Sequence, residues 1–283
     1  MTGSPHPPIG AVRDAVARAL AEDLTPMGDL TASLVDPGVR VSAAVVARQQ
    51  GVLAGTACVD ETCRQVDDEL TATWEGFFEG AAVRQGDIVG YLGGRLASVL
   101  TAERTALNFL CHLSGVATLT SKFVAAVAGT GVRILDTRKT TPGLRALEKA
   151  AVRAGGGHNH RGSLSEMVLV KDNHRAGLSI ADAVKQARDA WPARTVEVEC
   201  DSLEQVVEAI EAGAQMIMLD NFAADDIAAA VELVGGRALV EVSGRMNLET
   251  VRTYAAGRPD FISVGALTHS APVFDFGLDL EIR

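Results

Sequence analysis

The sequence is poor in aromatic residues and short of positive charge. Only 4% of its 283 residues are Phe, Trp or Tyr, so few rings are available to stack on nucleic-acid bases. The formal net charge of −10 argues against non-specific binding to a polyanionic backbone. We therefore expect no nucleic-acid partner.

Cysteine is also scarce, and its spacing matches no strong metal-binding pattern. The four cysteines are Cys58, Cys63, Cys111 and Cys200. None belongs to a CxxC pair, so we expect reduced thiols in a cytoplasmic protein.

The sequence shows neither a signal-peptide pattern nor the apolar run expected of a membrane span. The first ten residues, MTGSPHPPIG, lack the apolar region of a signal peptide. No window approaches the ~18 apolar residues of a membrane span. We expect a protein with no membrane partner.

One basic segment stands out in this acidic sequence. Residues 133 to 175 contain nine Lys or Arg but only four Asp or Glu. Within the segment, Arg145, Lys149 and Arg153 are spaced four apart, which is typical of a solvated helix face.

Three other cations of the segment have a different context. Arg138, Lys139 and Lys171 come just after short apolar runs, where strands are predicted to end. We interpret them as part of a pocket for a small substrate that carries several negative charges.

The N-terminal part of the chain predicts mixed structure. Helical spacing occurs at 9–20 and 59–66, and strand-like runs occur at 39–47, 52–56, 70–74 and 88–92. This order favours an α+β domain with an antiparallel sheet. A long helix is predicted from Thr101 as its N-cap, with a break at Ser114-Gly115 and a domain boundary nearby.

The rest of the chain repeats a strand-helix pattern. Strand-like runs lie at 132–135, 167–170, 195–200, 216–219, 238–242 and 261–264. Helical patterns lie between them, at 143–153, 179–190, 203–212, 224–234 and 248–256. Six short βα units predict an incomplete parallel α/β barrel, with a doubly wound open sheet as the alternative.

The predicted strand ends carry the chemistry, because active sites of α/β barrels lie at the carboxyl ends of their strands. In chain order these ends are Asp136-Thr137-Arg138-Lys139, Lys171-Asp172-Asn173-His174, Glu199-Cys200-Asp201, Asp220-Asn221, Ser243-Gly244-Arg245 and Gly265-Ala266. Two basic ends are thus followed by two acidic ends and two glycine-containing turns. This sorting predicts a single charged site.

The last two turns and the two acidic ends suggest a phosphorylated sugar. Backbone N–H groups of glycine-containing turns that lead into helices suit a phosphate, although glycines also simply permit tight turns. Glu199 and Asp220 can hold Mg²⁺ through water, accept hydrogen bonds from sugar hydroxyls or stabilise a developing cation. An ion pair with the neighbouring cations is the alternative for both.

Two further features leave alternatives open. Gly155, Gly156 and Gly157 suggest close approach of backbone to a ligand, although helix termination explains one of them. His158 and His160 can be read as a metal pair, but hydrogen bonding by His160 beside Arg161 is the favoured interpretation.

An ordered set of motifs covers most of the chain and resembles the quinolinate phosphoribosyltransferases. The motifs are EDL and GDLT (22–24, 28–31), LTAERTALNFL and HLSG (100–115), DTRKTTPGLRALEKAAVRAGGG with NHR (136–161), LVKDNH (169–174), EVECDSLEQ (197–205), MLDNF (218–222), EVSGR (241–245) and ISVGALTHS (262–270).

The resemblance implies a reaction and a fold. Quinolinate and phosphoribosyl pyrophosphate would give nicotinate mononucleotide, pyrophosphate and CO₂ with Mg²⁺. An open-faced α/β sandwich domain at 1–113 would precede a partial barrel at 114–272, and residues 273–283 would return to the sandwich. A homodimer, or a hexamer built from dimers, would donate Arg104 across the interface to the neighbouring quinolinate.

The resemblance also implies residue roles. Quinolinate would be bound by Arg104, Arg138, Lys139, His160 and Arg161, and Thr137 would also belong to the substrate-binding residues. Lys139 and Lys171 would also face the diphosphate, and Glu199 and Asp220 would face the ribose and Mg²⁺. The 5-phosphate would be held by Ser243, Gly244, Arg245, Val264, Gly265 and Ala266. Lys139, Lys171, Glu199 and Asp220 form the predicted catalytic set.

Two residues depart from the family pattern. His158 stands where a small apolar residue is expected, and Ala150 where an aromatic residue is common. These departures keep a relative that acts on another heteroaromatic acid as an alternative. The others are a non-catalytic anion-binding relative and a metal-dependent barrel hydrolase that uses His158, His160, Lys171 and Asp220.

Overall fold

The computed structural model describes residues 4–175 and 177–282, without the side chains of Arg175, Glu281 and Ile282. The chain divides into two compact units. The first comprises the described residues up to Ser121, together with Thr140–Gly156 and those from Leu267 onward; the second comprises Lys122–Lys139 and Gly157–Ala266.

The helices and strands are as follows. The α-helices are α1 (Ile9–Leu24), α2 (Thr56–Val66), α3 (Leu96–Ala126), α4 (Arg145–Ala154), α5 (Asp172–Arg175), α6 (Ile180–Ala190), α7 (Leu203–Glu211), α8 (Ala224–Val234), α9 (Val251–Ala256) and α10 (Ala266–His269). The strands are β1 (Arg40–Ala47), β2 (Gly51–Val52), β3 (Thr71–Trp74), β4 (Ala82–Val83), β5 (Ile88–Arg95), β6 (Arg133–Leu135), β7 (Val168–Val170), β8 (Val196–Cys200), β9 (Met216–Asp220), β10 (Leu239–Ser243), β11 (Phe261–Ser263) and β12 (Phe276–Ile282).

The first unit contains a four-stranded antiparallel sheet, as the N-terminal pattern predicts. Its strand order is β12-β1-β5-β3, so the last strand of the chain pairs with the first. Alternate residues of β1, such as Val41, Ala43 and Val45, point into a buried apolar core. Leu110 of α3 and Phe274 lie in the same core.

Helix α3 is longer and less interrupted than predicted. It begins at Leu96, so Thr101 is not its N-cap; the Thr101 hydroxyl donates to Asp29 Oδ2 at 3.0 Å instead. The predicted break at Ser114-Gly115 is wrong. Gly115 is a packing glycine, because a Cβ there would lie 2.2 Å from the Pro272 carbonyl oxygen.

Helix α3 is also long and apolar enough to meet the length and hydropathy expected of a membrane span. The expectation that no segment approaches this limit was therefore too strong. Half of its most apolar window is buried within the protein, with Leu110, Leu113 and Val116 fully or almost fully covered. A buried helix of a protein core has these properties without any membrane.

Helix α4 in the first unit is not the solvated face that its charge spacing suggests. Lys149 is only 6% exposed. Arg153 donates from Nε to the Ser4 carbonyl oxygen at 2.6 Å, which anchors the start of the described chain. The helix ends at a close contact, since a Cβ on Gly155 would lie 2.3 Å from the Ala117 carbonyl oxygen. Packing, and not a ligand, explains this glycine.

The second unit contains one six-stranded parallel sheet, and all six predicted strands belong to it. Its order is β6-β11-β10-β9-β8-β7. Strands β7 to β11 follow each other in sequence without the reversal of a doubly wound sheet, and β6 pairs with β11 at the far side. The prediction of an incomplete barrel is confirmed, and its open seam lies between β6 and β7.

Candidate active site

Strand geometry brings polar residues from five neighbouring strands onto one face. Side chains two residues apart lie on the same face of a strand, and parallel strands end at the same edge. The register pairs Leu169 with Glu197, Glu199 with Met218, and Glu241 with both Met218 and Phe261. The shared face therefore presents Leu169, Lys171, Glu197, Glu199, Met218, Asp220, Glu241, Ser243 and Ser263.

A cavity of about 300 Å³ opens on this face of the second unit. It is lined by Thr137, Arg138, Lys139, His160, Arg161, Leu169, Lys171, Met218, Glu241, Ser243 and Ser263. Seven of these belong to the set predicted from the sequence: Thr137, Arg138, Lys139, His160, Arg161, Lys171 and Ser243. The structure thus gathers most of the predicted cations around one small volume.

The two arginines of the cavity are close enough to affect each other. Burial and the neighbouring Arg138 lower the pKa of Arg161 below its ordinary value. Arg161 is held in place because its Nη1 donates to the Met167 carbonyl oxygen at 3.2 Å. Two adjacent guanidinium groups in a partly buried cavity favour an anionic ligand, since two charges 4 Å apart interact by about 4 kcal/mol at an effective dielectric of 20.

Lys171 and Glu199 form an ion pair between β7 and β8. The Lys171 Nζ atom contacts the Glu199 carboxylate directly. This is the alternative that the sequence left open for the acidic residues. Asp220, on the next strand, is engaged differently, because its Oδ2 accepts a hydrogen bond from Asn221 Nδ2 at 2.8 Å.

The segment that carries His160 runs along the free side of β6. The His158 N–H donates to the Ile134 carbonyl oxygen at 2.9 Å, and the His158 carbonyl oxygen accepts from the Asp136 N–H at 3.1 Å. Asp136 is fully buried, and its Oδ1 accepts from the His160 N–H at 2.9 Å. Asp136 therefore fixes the position of His160 through the backbone.

The His160 ring contacts two buried acids. Its Nε2 lies 3.0 Å from Glu197 Oε2 and 3.3 Å from Glu241 Oε2. Burial alone would lower the pKa of His160, but its hydrogen bonds to the two carboxylates outweigh burial and raise it to about 10. Burial also raises the pKa of the Glu197 carboxyl.

Sequence reasoning missed Glu197 and Glu241. Both have 0% exposure and lie in the middle of apolar strands, in VEVEC and LVEVS. A charged residue inside a parallel strand that is otherwise apolar was the available signal, because such strands are normally hydrophobic throughout. Leu169, Met218 and Ser263, which complete the cavity wall, carried no such signal.

The residues predicted to hold the 5-phosphate, apart from Ser243, do not line the cavity. Gly244 follows β10 with a φ of +149°, and a Cβ there would lie 3.3 Å from Asn221 Oδ1. Arg245 is exposed. Val264 is buried, whereas Gly265 and Ala266 are half-buried at the start of the four-residue helix α10.

Arg104 lies in the first unit. It is exposed on α3 and lines a cavity of about 480 Å³ with residues that include His112, Phe274 and Asp275. Its predicted role in a neighbouring subunit stays a prediction.

The arrangement does not favour the metal-hydrolase alternative. Among residues 4–175 and 177–282, one group of three acidic or histidine side chains has atoms within 4.8 Å of one another, namely His160, Glu197 and Glu241. It contains neither His158 nor Asp220. Lys171, the third residue of that alternative, is paired with Glu199.

Comparison with known families accounts for both units. The model for the N-terminal domain of quinolinate phosphoribosyl transferase matches residues 29–114, and the model for its C-terminal domain matches residues 116–279. The chain belongs to the quinolinate phosphoribosyl transferase family. Members of this family include proteins described as carboxylating nicotinate-nucleotide pyrophosphorylases.

Individual relatives match most of the length of this family member. The carboxylating nicotinate-nucleotide pyrophosphorylase of Mycobacterium leprae is 43% identical over 95% of this chain and 97% of its own. A probable one from Bacillus subtilis is 38% identical over 90% of this chain and 89% of its own. The structure of the nicotinate-nucleotide pyrophosphorylase from Francisella tularensis superposes with a TM-score of 0.94 at 38% identity, covering 99% of this chain and 100% of that one.

Proposed function

We propose that the protein transfers the phosphoribosyl group of phosphoribosyl pyrophosphate to quinolinate, with loss of one carboxyl group as CO₂. The products are nicotinate mononucleotide and pyrophosphate, which places the reaction in NAD biosynthesis. Family membership and the names of the relatives support this proposal. The observation that carries it is one cavity of about 300 Å³ that contains Arg138, Lys139, His160 and Arg161.

The acceptor side of the cavity suits a small aromatic dianion. Guanidinium groups bind carboxylates through paired hydrogen bonds, and Arg138 and Arg161 supply two such groups. Leu169 and Met218 add apolar wall for a ring. The two departures from the family pattern do not line this cavity: His158 lies beside β6, and Ala150 is buried in α4 of the first unit. Quinolinate therefore remains the preferred acceptor.

On the donor side we assign Lys139 and Lys171 to the diphosphate, and Glu199 and Asp220 to the ribose. Departure of pyrophosphate leaves positive charge on the ribosyl carbon, and fixed carboxylates stabilise such charge. The 5-phosphate is assigned to the turns Ser243-Gly244-Arg245 and Val264-Gly265-Ala266, where backbone N–H groups and the exposed Arg245 are available.

The protein then contributes mainly by positioning the two substrates and by balancing their charges. The pyridine nitrogen of quinolinate attacks the ribosyl carbon as the bond to pyrophosphate breaks. The ring becomes a pyridinium, whose positive charge stabilises the electron pair left on the ring carbon when the 2-carboxylate departs as CO₂. A proton replaces the lost carboxyl group. The cavity holds the acceptor in place for the first bond and balances its charge.

The proposal includes Mg²⁺. Carboxylates on adjacent strands are suitable oxygen ligands, and Glu199 and Asp220 are both partly exposed at the strand ends. Because Glu199 also pairs with Lys171, we expect contact through water. When bound, the ion neutralises charge on the diphosphate leaving group.

We also propose a cytoplasmic homodimer, or a hexamer of dimers, in which Arg104 reaches the acceptor site of the neighbouring subunit. The exposure of Arg104 supports its availability to a second copy. All four cysteines are free thiols, as is usual in a reducing compartment.

The decisive experiment supplies Mg²⁺ and phosphoribosyl pyrophosphate with either quinolinate or nicotinate. Nucleotide and CO₂ are followed in both reactions. We expect equal yields of nicotinate mononucleotide and CO₂ from quinolinate. Turnover of nicotinate without turnover of quinolinate would refute the decarboxylating assignment. Donor binding without turnover of either acid would identify a non-catalytic relative.

A further inference from the structure

Two buried carboxylates converge on one nitrogen of His160. Glu197 comes from β8 and Glu241 from β10, two strands apart, and neither has exposed surface. Each has an Oε2 atom within 3.3 Å of His160 Nε2. An ionised carboxylate in a protein interior is unfavourable unless a cation or several hydrogen-bond donors accompany it.

His160 is the group that bridges these acids. Among the described residues, Glu197 Oε1 and both carboxylate oxygens of Glu241 have no hydrogen-bond partner, so Glu241 is compensated through the 3.3 Å ion-pair contact of its Oε2 with His160 Nε2. A neutral imidazole donating from Nε2 would supply a proton but no charge. A protonated ring supplies both, and this favours the imidazolium form.

Other charged groups face the same cavity and are positive, so they make a further positive charge on His160 less favourable. They are Arg138, Lys139, Arg161 and Lys171, from the segments around β6 and β7. Asp136 Oδ1 accepts from the backbone N–H of His160. The two carboxylates lie in direct contact with the ring, and they raise the pKa of His160 against the effect of burial.

Glu241 also lines the cavity, where a bare carboxylate would repel an acidic acceptor. His160 lies against it and also lines the cavity. We propose that Glu197 and Glu241 are positioning residues that keep His160 as a fixed imidazolium, so that the ring facing a dicarboxylate in the acceptor cavity is charged and not neutral. The identity of this acceptor rests on the proposed function; the charge state of His160 does not.

The charge state is measured first, on the wild-type protein. Two-dimensional ¹H–¹⁵N NMR of a protein labelled in its histidine rings distinguishes doubly protonated from neutral imidazole. The chain has six histidines, and His160→Asn assigns the signal. We expect both ring nitrogens of His160 to stay protonated from pH 6 to about 9. A neutral ring at pH 7.5 would overturn the proposal without any test of the carboxylate variants.

The carboxylates are then tested by charge removal. In Glu197→Gln/Glu241→Gln we expect the His160 signal to become neutral near or below pH 6.5, because burial is no longer opposed. Each single variant should fall between the double variant and the wild type. Glu204→Gln, an exposed carboxylate at the start of α7, is the matched control and should leave the signal unchanged. An unaltered His160 signal in a folded double variant would refute the role of the acids.

Kinetics provides the functional test. In the double variant the KM for quinolinate at pH 7.5 should rise severalfold, because the charge lost from the ring at the acceptor outweighs the repulsion removed with the two acids, with a smaller change in kcat. The rise should shrink at a pH below the His160 titration midpoint measured in the double variant, where the ring is charged in both proteins. Equal loss at both pH values would indicate a merely structural role. A wild type that shows the charged ring but does not use quinolinate would refute the proposed function alone.

A metal ion held by the same three groups is a distinct outcome. It would require a neutral His160 nitrogen as ligand. Spectra are therefore compared after chelator treatment and after addition of Zn²⁺. Tight Zn²⁺ binding that is lost in the double variant, with a neutral ring in the protein as purified, would overturn the proposal.

Discussion

Lys171 contacts the carboxylate of Glu199 from the neighbouring strand, at the edge of the sheet where the cavity opens. The pair keeps two opposite charges together at the point where the donor is proposed to bind. A phosphorylated donor competes for the ammonium group, and this would leave the carboxylate available for the ribose or for Mg²⁺. Both residues should therefore matter more for turnover than for folding.

Removing the acid should test this role. We predict that Glu199→Ala lowers kcat by about a hundredfold or more, because a fixed charge near the developing cation is lost. Thermal unfolding should change little, since Glu199 lies at the partly exposed end of its strand. Steady-state kinetics and circular dichroism check the two parts, with Glu204→Ala as the surface control. Near-wild-type turnover would remove Glu199 from the catalytic set.

Lys139 offers a second test on the opposite side of the site. Its side chain is exposed at the cavity wall, so Lys139→Ala should leave the free energy of unfolding nearly unchanged. We predict a loss of turnover of about a hundredfold, because the lysine is assigned to both the acceptor and the diphosphate. Lys185→Ala removes an exposed lysine from α6 and serves as the control. Equal activity in the two variants would contradict the assignment.

The acceptor assignment of Arg161 depends on guanidinium geometry. We predict that Arg161→Lys raises the KM for quinolinate about tenfold or more, because lysine keeps the charge but loses the paired hydrogen bonds. Arg194→Lys, on an exposed turn, should have no effect. Initial rates at varied quinolinate and saturating donor measure the difference. An unchanged KM would place the carboxylates of the acceptor elsewhere.

His160 should make stability depend on pH. The pKa of His160 is raised to about 10 in the folded state, above an unfolded value near 6.5. The folded state therefore binds the proton more tightly, and the associated stabilisation is complete below pH 6.5 and is lost as pH rises toward 10. We predict that the difference in unfolding free energy between wild type and His160→Asn narrows across this window. Urea titrations from pH 6 to 10 measure it, and a constant difference would contradict the ion pair.

Gly115 provides a test of the fold. We predict that Gly115→Ala destabilises the protein by about 1–3 kcal/mol, because the new methyl group would meet the Pro272 carbonyl oxygen and force a backbone shift. Gly10→Ala is the matched control: it lies in α1 with no atom within 4 Å of a Cβ, and should stabilise by about 0.5–1 kcal/mol. Similar unfolding midpoints for both variants would refute the packing argument.

These cases show what the sequence could predict. The six parallel strands and the charges at their ends follow from local patterns, because apolar runs define the strands and polar residues mark where they stop. The same local patterns predict that α3 begins at Thr101. The hydroxyl of that residue instead donates to Asp29, which is 72 residues away. Local patterns also predicted a helix break at Gly115, because the Pro272 carbonyl oxygen against which this glycine packs lies far along the chain.

The partners of His160 illustrate the same limit within the site. Glu197 and Glu241 come from different strands, and His160 comes from a segment that is not a strand. Their contact depends on the strand order and on how residues 158–160 return beside β6. Neither the strand order nor the path of residues 158–160 follows from the spacing of residues in the sequence.

The open seam of the barrel has a consequence for how specificity can change. One edge of the seam is β6, and the segment with His160 and Arg161 follows it through a single bridge between Leu135 and His158. Changes in the part of this segment beyond His160 would therefore disturb fewer strand-pairing hydrogen bonds than changes within the sheet. The acids assigned to the sugar belong to β8 and β9 and have no such freedom. Evolution on this scaffold can therefore vary the ring acid while the activated ribose stays the same.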